Sequence, residues 1–361
     1  MKREHVYYFD CLRVFAAISV VFMHVAAGPL RGALNAGWHG LNVLTALAFT
    51  AVPLFFMMSG YLLLTDEKTA DISVLLRKRL PKLALPLAAW TVIAVWWDMY
   101  LRQSVSLRGL LDGLLASLSS PQAVHFWYMY TLIALYMLSP VLYGGLKGLD
   151  KKGHTFVVIL CLSLSVRAVL QTVLPHKLWQ LDILNKLQFF GGHLATFILG
   201  YYLGKTERRL PNWALALLAA GLWAAVAVGT YLKTRSAGAF DQSFQSQSAG
   251  FEVLLAACLF LLAKQTLNRP CRVLRRLPVV PLSLGIYMLH NILISVMHCY
   301  EIRETGLWDT LYLTAGVFAA SYLVIKTLTT VPVLCRLFGG MPWKTACKTC
   351  NWVFTFRKKE K

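Results

Sequence analysis

Charged residues are scarce in this sequence. They make up 14% of the 361 residues, whereas a typical globular protein has about 25%. With 57% apolar residues, the chain could not cover the surface of a water-soluble fold of this size. The apolar residues also occur in blocks of about 20, the length that crosses a hydrocarbon core of roughly 30 Å. These features exclude a soluble enzyme and predict an all-α, polytopic membrane protein.

Paired cysteines, a signal-peptide cleavage site and internal repeats are also lacking. Cys347 and Cys350 form a single CxxC without a second ligand pair, so we expect no metal site there. No small-residue cleavage site clearly follows the first apolar run, and we therefore expect a retained first helix. The inverted repeat found in many transporters is not visible. We interpret residues 1–340 as one transmembrane domain and residues 341–361 as a basic cytoplasmic tail.

The apolar blocks predict ten membrane spans. Their approximate bounds are 8–27, 43–64, 81–101, 126–146, 154–174, 186–204, 212–232, 249–267, 279–299 and 309–337. Of the 36 basic residues, 25 lie on the side of the N-terminus, eight on the opposite side and three within spans. Short loops rich in Lys and Arg remain in the cytoplasm, so both termini are predicted to be cytoplasmic. The net charge of +20 is therefore attributed to topology rather than to nucleic-acid binding.

Two of the outward segments are long. Residues 102–125 could fold over the outer mouth of the protein. Residues 236–248, which are rich in Ser and Gln, are predicted to form a flexible outward loop.

Ionisable residues inside the first span give the clearest functional signal. Arg13 and His24 are eleven residues apart, so on a helix they share one face and are separated by about 16 Å along the axis. Asp10 could pair with Arg13 on that face, and an interfacial Asp10–Arg13 pair with a purely structural role is the alternative. His24 lies deeper, and neutral imidazole is the usual general base at physiological pH.

Polar side chains are predicted at membrane depth in four other spans. Arg167 and His290 should lie near the middle, Tyr287 shares a face with His290, Glu252 lies close to the outer face, and Lys326 lies toward the cytoplasm. Singly, each could be an ordinary hydrogen-bonding group between helices. Together they predict a polar interior that runs from one side of the membrane toward the other.

A basic cluster precedes the third span. In RKRLPKLALP, Arg77, Lys78, Arg79 and Lys82 surround Pro81, which fits the start of a helix with free backbone N–H groups. Such a cluster can hold phosphates. The alternative is that these residues only set the topology.

Together these residues resemble the integral-membrane acyltransferase family 3, ten-helix acyltransferases that modify bacterial surface glycans. The resemblance covers nearly the whole chain, and its sharpest element is the spacing of Arg13 and His24. Three further segments match in the expected order: PLFFMMSGY with Ser59, HFWYMYTLIALY with His125, Trp127 and Tyr128, and SLGIYMLH with Tyr287 and His290. The family's Arg-x-x-Arg is matched incompletely, because Lys82 stands three residues after Arg79. Within the family, the chain is most similar to stand-alone O-acetyltransferases such as that of enterobacterial common antigen.

The resemblance implies a membrane-bound O-acyltransferase in the bacterial inner membrane. Its donor would be acetyl-CoA or another acyl-CoA from the cytoplasm, and its acceptor a hydroxyl of a cell-surface polysaccharide or of a lipid-linked precursor. His24 would be the general base, with Asp10 and Arg13 beside it. The expected donor-binding residues are Arg77, Arg79, Lys82 and Lys326. The expected acceptor-binding residues are Arg167, His125, Trp127, Tyr128, Tyr287 and His290. No metal is expected.

Several alternatives stay open at this point. A transporter that exports a polysaccharide or a small acid would also have ten spans with buried charges. The acceptor could be a peptide, an amino acid or a macrolide rather than a glycan, and Trp127 could serve only as an interfacial residue. Arg167, Ser59 and backbone N–H groups are all candidates for stabilising the oxyanion. The chain could also form a homo-oligomer.

Overall fold

The computed structural model describes residues 5–174, 192–247, 250–276, 278–343 and 345–346. Within these ranges the chain is predominantly helical and contains no strand. The helices are α1 (Tyr7–Ala26), α2 (Ala36–Ala48), α3 (Ala51–Leu64), α4 (Ile72–Val74), α5 (Pro81–Leu101), α6 (Leu107–Ser117), α7 (Trp127–Gly148), α8 (Lys151–Val173), α9 (His193–Lys205), α10 (Asn212–Ala237), α11 (Gly250–Thr266), α12 (Arg272–Arg276), α13 (Val279–Cys299), α14 (Leu307–Leu328) and α15 (Pro332–Gly339). Short 3-10 turns occupy Pro29–Arg31, Glu67–Ala70 and Val124–Phe126, and a π-helical turn occupies Leu75–Arg79.

The all-α membrane architecture predicted from the sequence is confirmed. Eight segments in the described part of the chain are long and apolar enough to cross a membrane: Tyr7–Ala26, Ala36–Leu64, Ile72–Leu101, Val124–Gly148, Lys151–Val173, Asn212–Ala237, Val279–Cys299 and Leu307–Leu328. The other two predicted spans coincide with α9 and α11, of 13 and 17 residues. The beginning of the predicted 186–204 span, Cys347, Cys350 and most of the predicted tail lie outside the described residues.

The ends of three predicted spans are wrong. The third span begins at Ile72 rather than at residue 81, because α4 and the π-helical turn Leu75–Arg79 lead into α5 through Leu80, which is helical at φ −58° and ψ −42°. The predicted helix start at Pro81 therefore lies within a continuous helical segment.

The second span begins at Ala36, because the Asn35 side chain accepts a hydrogen bond from the Trp38 N–H at 2.9 Å and caps α2. The last span ends at Leu328 rather than near residue 337. Pro332 starts the separate helix α15, and Val331 before it is extended at φ −101° and ψ 131°, as expected for a residue that precedes proline.

We call the end of the bundle that contains Tyr7 the inner end, because the basic-residue pattern predicts that it faces the cytoplasm. The outward segment 102–125 folds back from the opposite, outer end. A Cβ on Gly113 would lie 2.6 Å from Val95 Cγ1, and one on Gly109 would lie 3.0 Å from Met99 Sδ, so α6 runs antiparallel along α5. The chain then reaches the turn that carries His125.

The expectation of a loop over residues 236–248 is wrong in part. Helix α10 continues to Ala237 and ends at Gly238, whose φ is 68°. Farther along, Gln245 is fully buried, and its Nε2 donates to the Asn42 Oδ1 of α2 at 2.7 Å. The Gln245 side chain thus packs against α2 instead of remaining in solvent, whereas Gln242 and Ser243 are exposed.

Helices α3 and α9 pack with their backbones in direct contact. A Cβ on Gly60 would lie 1.8 Å from the Phe197 carbonyl oxygen, and one on Gly200 would lie 2.1 Å from the Met57 carbonyl oxygen. Small residues allow membrane helices to approach this closely. Because α3 also packs on α1 and α7, this contact fixes the centre of the bundle.

We expect Gly200→Ala to destabilise the protein, because the added methyl group would overlap the Met57 carbonyl and force α3 and α9 apart. Overpacking of this kind costs about 1–3 kcal/mol. The measurement is the thermal midpoint of detergent-solubilised protein, followed by fluorescence-detected size exclusion. Gly221→Ala is the matched control, since a Cβ on Gly221 of α10 meets nothing within 4 Å and alanine favours a helix. Equal midpoints for the two variants would contradict the backbone contact.

Candidate active site

Three histidines from distant parts of the chain meet inside the bundle. The ring centroids of His24 and His290 are 5.0 Å apart, those of His24 and His125 are 5.8 Å apart, and those of His125 and His290 are 4.8 Å apart. His125 is 2% exposed and His290 is fully buried, whereas His24 is only half-buried. Among the described residues, the three imidazoles do not converge in a way that could hold a metal ion. We call these three residues the histidine cluster.

Helix α13 holds the histidine cluster in place. His290 Nδ1 lies 2.6 Å from the carbonyl oxygen of Tyr287, one turn earlier, and His125 Nε2 lies 3.4 Å from the carbonyl oxygen of Met288. The Tyr287 hydroxyl donates a hydrogen bond to the backbone carbonyl of His125. The 3-10 turn that carries His125 is therefore attached to α13 in both directions, and α1 packs against the same helix.

Aromatic rings surround the histidine cluster. The centroid of Tyr128 lies 5.6 Å from that of Tyr287 and 4.9 Å from that of Phe56, and the Tyr128 hydroxyl is close enough to the Ser59 side chain to interact with it. The predicted residues Tyr128, Tyr287 and Ser59 thus lie in one connected group. These contacts form a continuous path of polar and aromatic side chains from α3 through α7 to α13.

His193 joins this group, although it was not among the predicted site residues. Its ring stacks on Phe56 with centroids 4.7 Å apart and packs on Trp127 at 5.1 Å. Because His193 lies inside a predicted span, the signal that singled out His24 and His290, an imidazole within an apolar run, would have identified it.

A large cavity opens at the inner end below the histidine cluster. Its volume is about 1190 Å³, and Arg13 of α1 is part of its wall. Arg13 also lies close enough to Tyr128 and Tyr136 to interact with them electrostatically. Arg13 therefore connects the cavity to the aromatic group that surrounds the histidine cluster.

The walls of the cavity are strongly basic. The basic residues in its lining are Arg13, Lys205, Arg208, Arg209, Lys264 and Arg269, against the acidic Asp10 and Glu207. Arg208, Arg209 and Arg269 are exposed. From the sequence, the basic residues of this set that lie in inward loops were attributed to membrane topology alone, because topology can explain any basic residue in an inward loop. Their convergence on one cavity suits an anionic ligand.

Lys264 has a structural task in this wall. Its Nζ donates to the carbonyl oxygens of Leu203, Gly204 and Thr206 at 3.0, 2.6 and 2.5 Å. These carbonyls are at the C-terminal end of α9, where the backbone acceptors of a helix have no partners of their own. All three ammonium hydrogens are thereby used to attach α9 to α11.

Asp10 lies in the same cavity wall but forms its ion pair with His5, whose Nε2 is 2.6 Å from Asp10 Oδ2. Arg13 is close enough for an electrostatic interaction with Asp10. Of the predicted group on the first helix, Asp10 and Arg13 thus lie in the cavity wall and His24 does not, and the direct partner of the Asp10 carboxylate is His5 rather than Arg13.

The four residues predicted to bind the donor lie elsewhere. Arg79 donates to Asp66 and Thr69, both at 2.6 Å, and so closes the turn between α3 and α5. Arg77 and Lys82 are exposed, and Lys326 lies over the Tyr322 ring with its Nζ 5.5 Å from the centroid. None of these four residues is part of the cavity wall described above. Their role in donor binding stays a prediction.

Arg167 is buried within α8. That helix packs against α9 and α11, whereas the histidine cluster is formed by α1, α13 and the turn before α7. The predicted role of Arg167 in acceptor binding likewise stays a prediction.

A comparison with known families identifies the family of the chain. A family model described as an acyltransferase domain, that of acyltransferase family 3, matches residues 6–326. The match includes the histidine cluster and all residues of the cavity wall except His5. No curated protein and no solved structure matches the chain. The protein is a transferase of acyl groups with multiple membrane helices, and it belongs to the integral-membrane acyltransferase family 3.

Proposed function

We propose that the protein transfers an acetyl group from cytoplasmic acetyl-CoA to a hydroxyl of a cell-surface polysaccharide or its lipid-linked precursor. The observation that supports this most is the arrangement of α1. Arg13 in this helix lies in the wall of the basic cavity, and His24 lies in the histidine cluster. One helix thus connects a site for an anion at the inner end with a general base in the interior.

The cavity suits the donor. The nucleotide end of acyl-CoA carries several phosphate charges, and exposed arginines such as Arg208, Arg209 and Arg269 bind phosphate with paired hydrogen bonds. From Arg13 to His24 the distance along the helix is about 16 Å. The extended pantetheine arm is suited to cover such a distance, so that the thioester would lie close to His24 while the phosphates remain in the cavity.

The chemistry requires one base that takes a proton and returns it. His24 removes the proton from the acceptor hydroxyl, the hydroxyl oxygen attacks the acyl carbon, and the bond from carbon to sulfur breaks. His24 then gives the proton to the departing thiolate of CoA. The oxyanion that forms in between requires a hydrogen-bond donor, for which Ser59, Arg167 and backbone N–H groups remain the candidates.

The acceptor would come from the outer end. Trp127, His193 and Phe56 form a stack of rings beside Tyr128, and flat aromatic faces suit the apolar face of a sugar ring.

Mass spectrometry of surface glycans tests the proposed function. We expect glycans from cells with the gene to carry acetyl groups that are absent from cells without it, and the acetyl groups to return with the wild-type gene but not with His24→Ala. Isothermal titration of the purified protein should show acetyl-CoA binding. An exporter would give a different result. The purified protein would bind no acyl-CoA, and deletion of the gene would remove surface glycan without changing the acylation of the glycan that remains.

A further inference from the structure

Helix α13 sets the tautomers of two imidazoles in the histidine cluster, those of His290 and His125. His290 Nδ1 faces the Tyr287 carbonyl oxygen and His125 Nε2 faces the Met288 carbonyl oxygen. A carbonyl oxygen only accepts hydrogen bonds, so the nitrogen that faces it carries the ring hydrogen. The other nitrogen of each neutral ring, His290 Nε2 and His125 Nδ1, therefore has a lone pair.

Neither lone pair is used. Both His290 Nε2 and His125 Nδ1 are buried and, among the described residues, have no hydrogen-bond partner. Leaving a buried acceptor without a donor is costly, and in a native protein such a group calls for an explanation. An unused acceptor beside a general base is explained if the base itself supplies the hydrogen at some stage of the reaction.

His24 is the neighbour that can do so. Its ring centroid is 5.0 Å from that of His290, nearer than the 5.8 Å to His125. His290 is also the more firmly held of the two, because its bond to the carbonyl is 2.6 Å long and that of His125 is 3.4 Å long. Both comparisons favour His290 as the partner of His24.

We propose that His290 is a positioning residue for acyl transfer, whose Nε2 accepts a hydrogen bond from one nitrogen of His24. The other nitrogen of His24 is then directed at the acceptor hydroxyl. This inference rests on the proposed function and replaces, for His290, the role in acceptor binding predicted from the sequence.

The proton balance follows directly. The O–H bond of the acceptor breaks and its proton goes to His24, so that both nitrogens of His24 carry hydrogen. The hydrogen bond from His24 to His290 Nε2 strengthens when His24 becomes a cation and stabilises that cation, as the third member of a catalytic triad does. The C–O bond forms, the C–S bond breaks, and His24 passes the proton to the thiolate. His290 gains and loses no proton, because its ring hydrogen stays on Nδ1, which donates to the Tyr287 carbonyl oxygen.

Substitution of His290 by two amides of different length tests the proposal. The side-chain oxygen of glutamine can reach the position of an imidazole Nε2, whereas that of asparagine reaches only the position of Nδ1. Turnover is measured for purified protein in lipid nanodiscs, with acetyl-CoA and glycan extracted from cells that lack the gene. We expect His290→Gln to stay within about fivefold of the wild-type kcat, and His290→Asn to lose about 30-fold or more. The KM for acetyl-CoA should stay within about threefold, because His290 is not part of the cavity wall proposed to hold the nucleotide end of the donor.

His125 provides the matched control. The unused nitrogen of His125 is Nδ1, whose position the side-chain oxygen of asparagine can reach. The proposal would be overturned if His125→Asn kept its turnover, His125→Gln lost it and the two His290 variants stayed at the wild-type rate. That result would assign the positioning role to His125. Equal losses in His290→Gln and His290→Asn would show a packing role only and would also overturn the proposal. A wild-type protein without acetyl-CoA-dependent transfer would remove the proposed function itself.

A second measurement does not depend on activity or on His290 variants. Nitrogen NMR of histidine-labelled wild-type protein should show His290 with hydrogen on Nδ1. The His290 Nε2 resonance should shift in His24→Gln, which removes the imidazole neighbour. Hydrogen on Nε2 of His290 in the wild-type protein, or no response to His24→Gln, would contradict the proposal.

Discussion

His24→Ala is expected to abolish acyl transfer while the protein still folds in detergent. His24 is the half-buried member of the histidine cluster, and the attacking hydroxyl has no other base of comparable access in that cluster. Loss of a general base lowers a rate by about 10²- to 10⁴-fold. The measurement is the initial rate of acetyl transfer from acetyl-CoA to extracted glycan, per mole of monodisperse protein. A variant that keeps more than about a tenth of the wild-type rate would show that His24 has a structural role.

His39→Ala is the control for this experiment. His39 is an exposed histidine of α2, and its ring contacts are with Trp38 and Tyr231 rather than with the histidine cluster. Its removal should leave the rate nearly unchanged. The pair of variants separates the loss of a specific base from a general effect of deleting an imidazole in this membrane protein.

Neutralising the exposed cavity arginines should weaken acetyl-CoA binding by about a hundredfold or more. Three charge-assisted hydrogen bonds at about 1.5–3 kcal/mol each, partly screened by salt, account for this magnitude. The variant replaces Arg208, Arg209 and Arg269 by glutamine, and the dissociation constant is measured by calorimetry at two salt concentrations. Lys264 is left intact, because its ammonium group closes the end of α9.

A comparison variant decides between the two basic clusters. Arg77, Lys78 and Lys82 are exposed near the start of α5 and can be neutralised together, while Arg79 is kept because of its ion pair with Asp66. We expect this variant to bind acetyl-CoA with nearly the wild-type affinity. The opposite pattern, with loss only in the comparison variant, would place the phosphate site at the start of α5, where the sequence predicted it.

The helices could be predicted from the sequence because a hydrocarbon core imposes one length and one polarity on every span. The shared face of Arg13 and His24 followed from helix geometry alone. The start of the second span depends on the Asn35 cap. A hydropathy average over the sequence does not detect such a local hydrogen bond. The early end of α14 could have been predicted from Pro332.

The basic cavity could not be predicted, for a physical reason. A lysine or arginine that sets topology and one that binds phosphate look the same in an inward loop. Only the packing of α1, α3, α9 and α11 shows that Arg208 and Arg269 face one space. Arg79 is the opposite case. It belongs to a basic cluster that suits phosphate, but its guanidinium group is paired with the carboxylate of Asp66, thirteen residues away.

The position of the three imidazoles along the chain has a consequence for biogenesis. The cavity wall is complete once Arg269 has been synthesised, but His290 and the Met288 carbonyl that holds the His125 ring arrive only with α13. During translation, therefore, the region proposed for acyl-CoA exists before the chemical groups that react with it are assembled. A chain that stops before α13 retains His24 and His125 but lacks His290, so a prematurely terminated protein left in the membrane should consume acyl-CoA much more slowly than the complete protein.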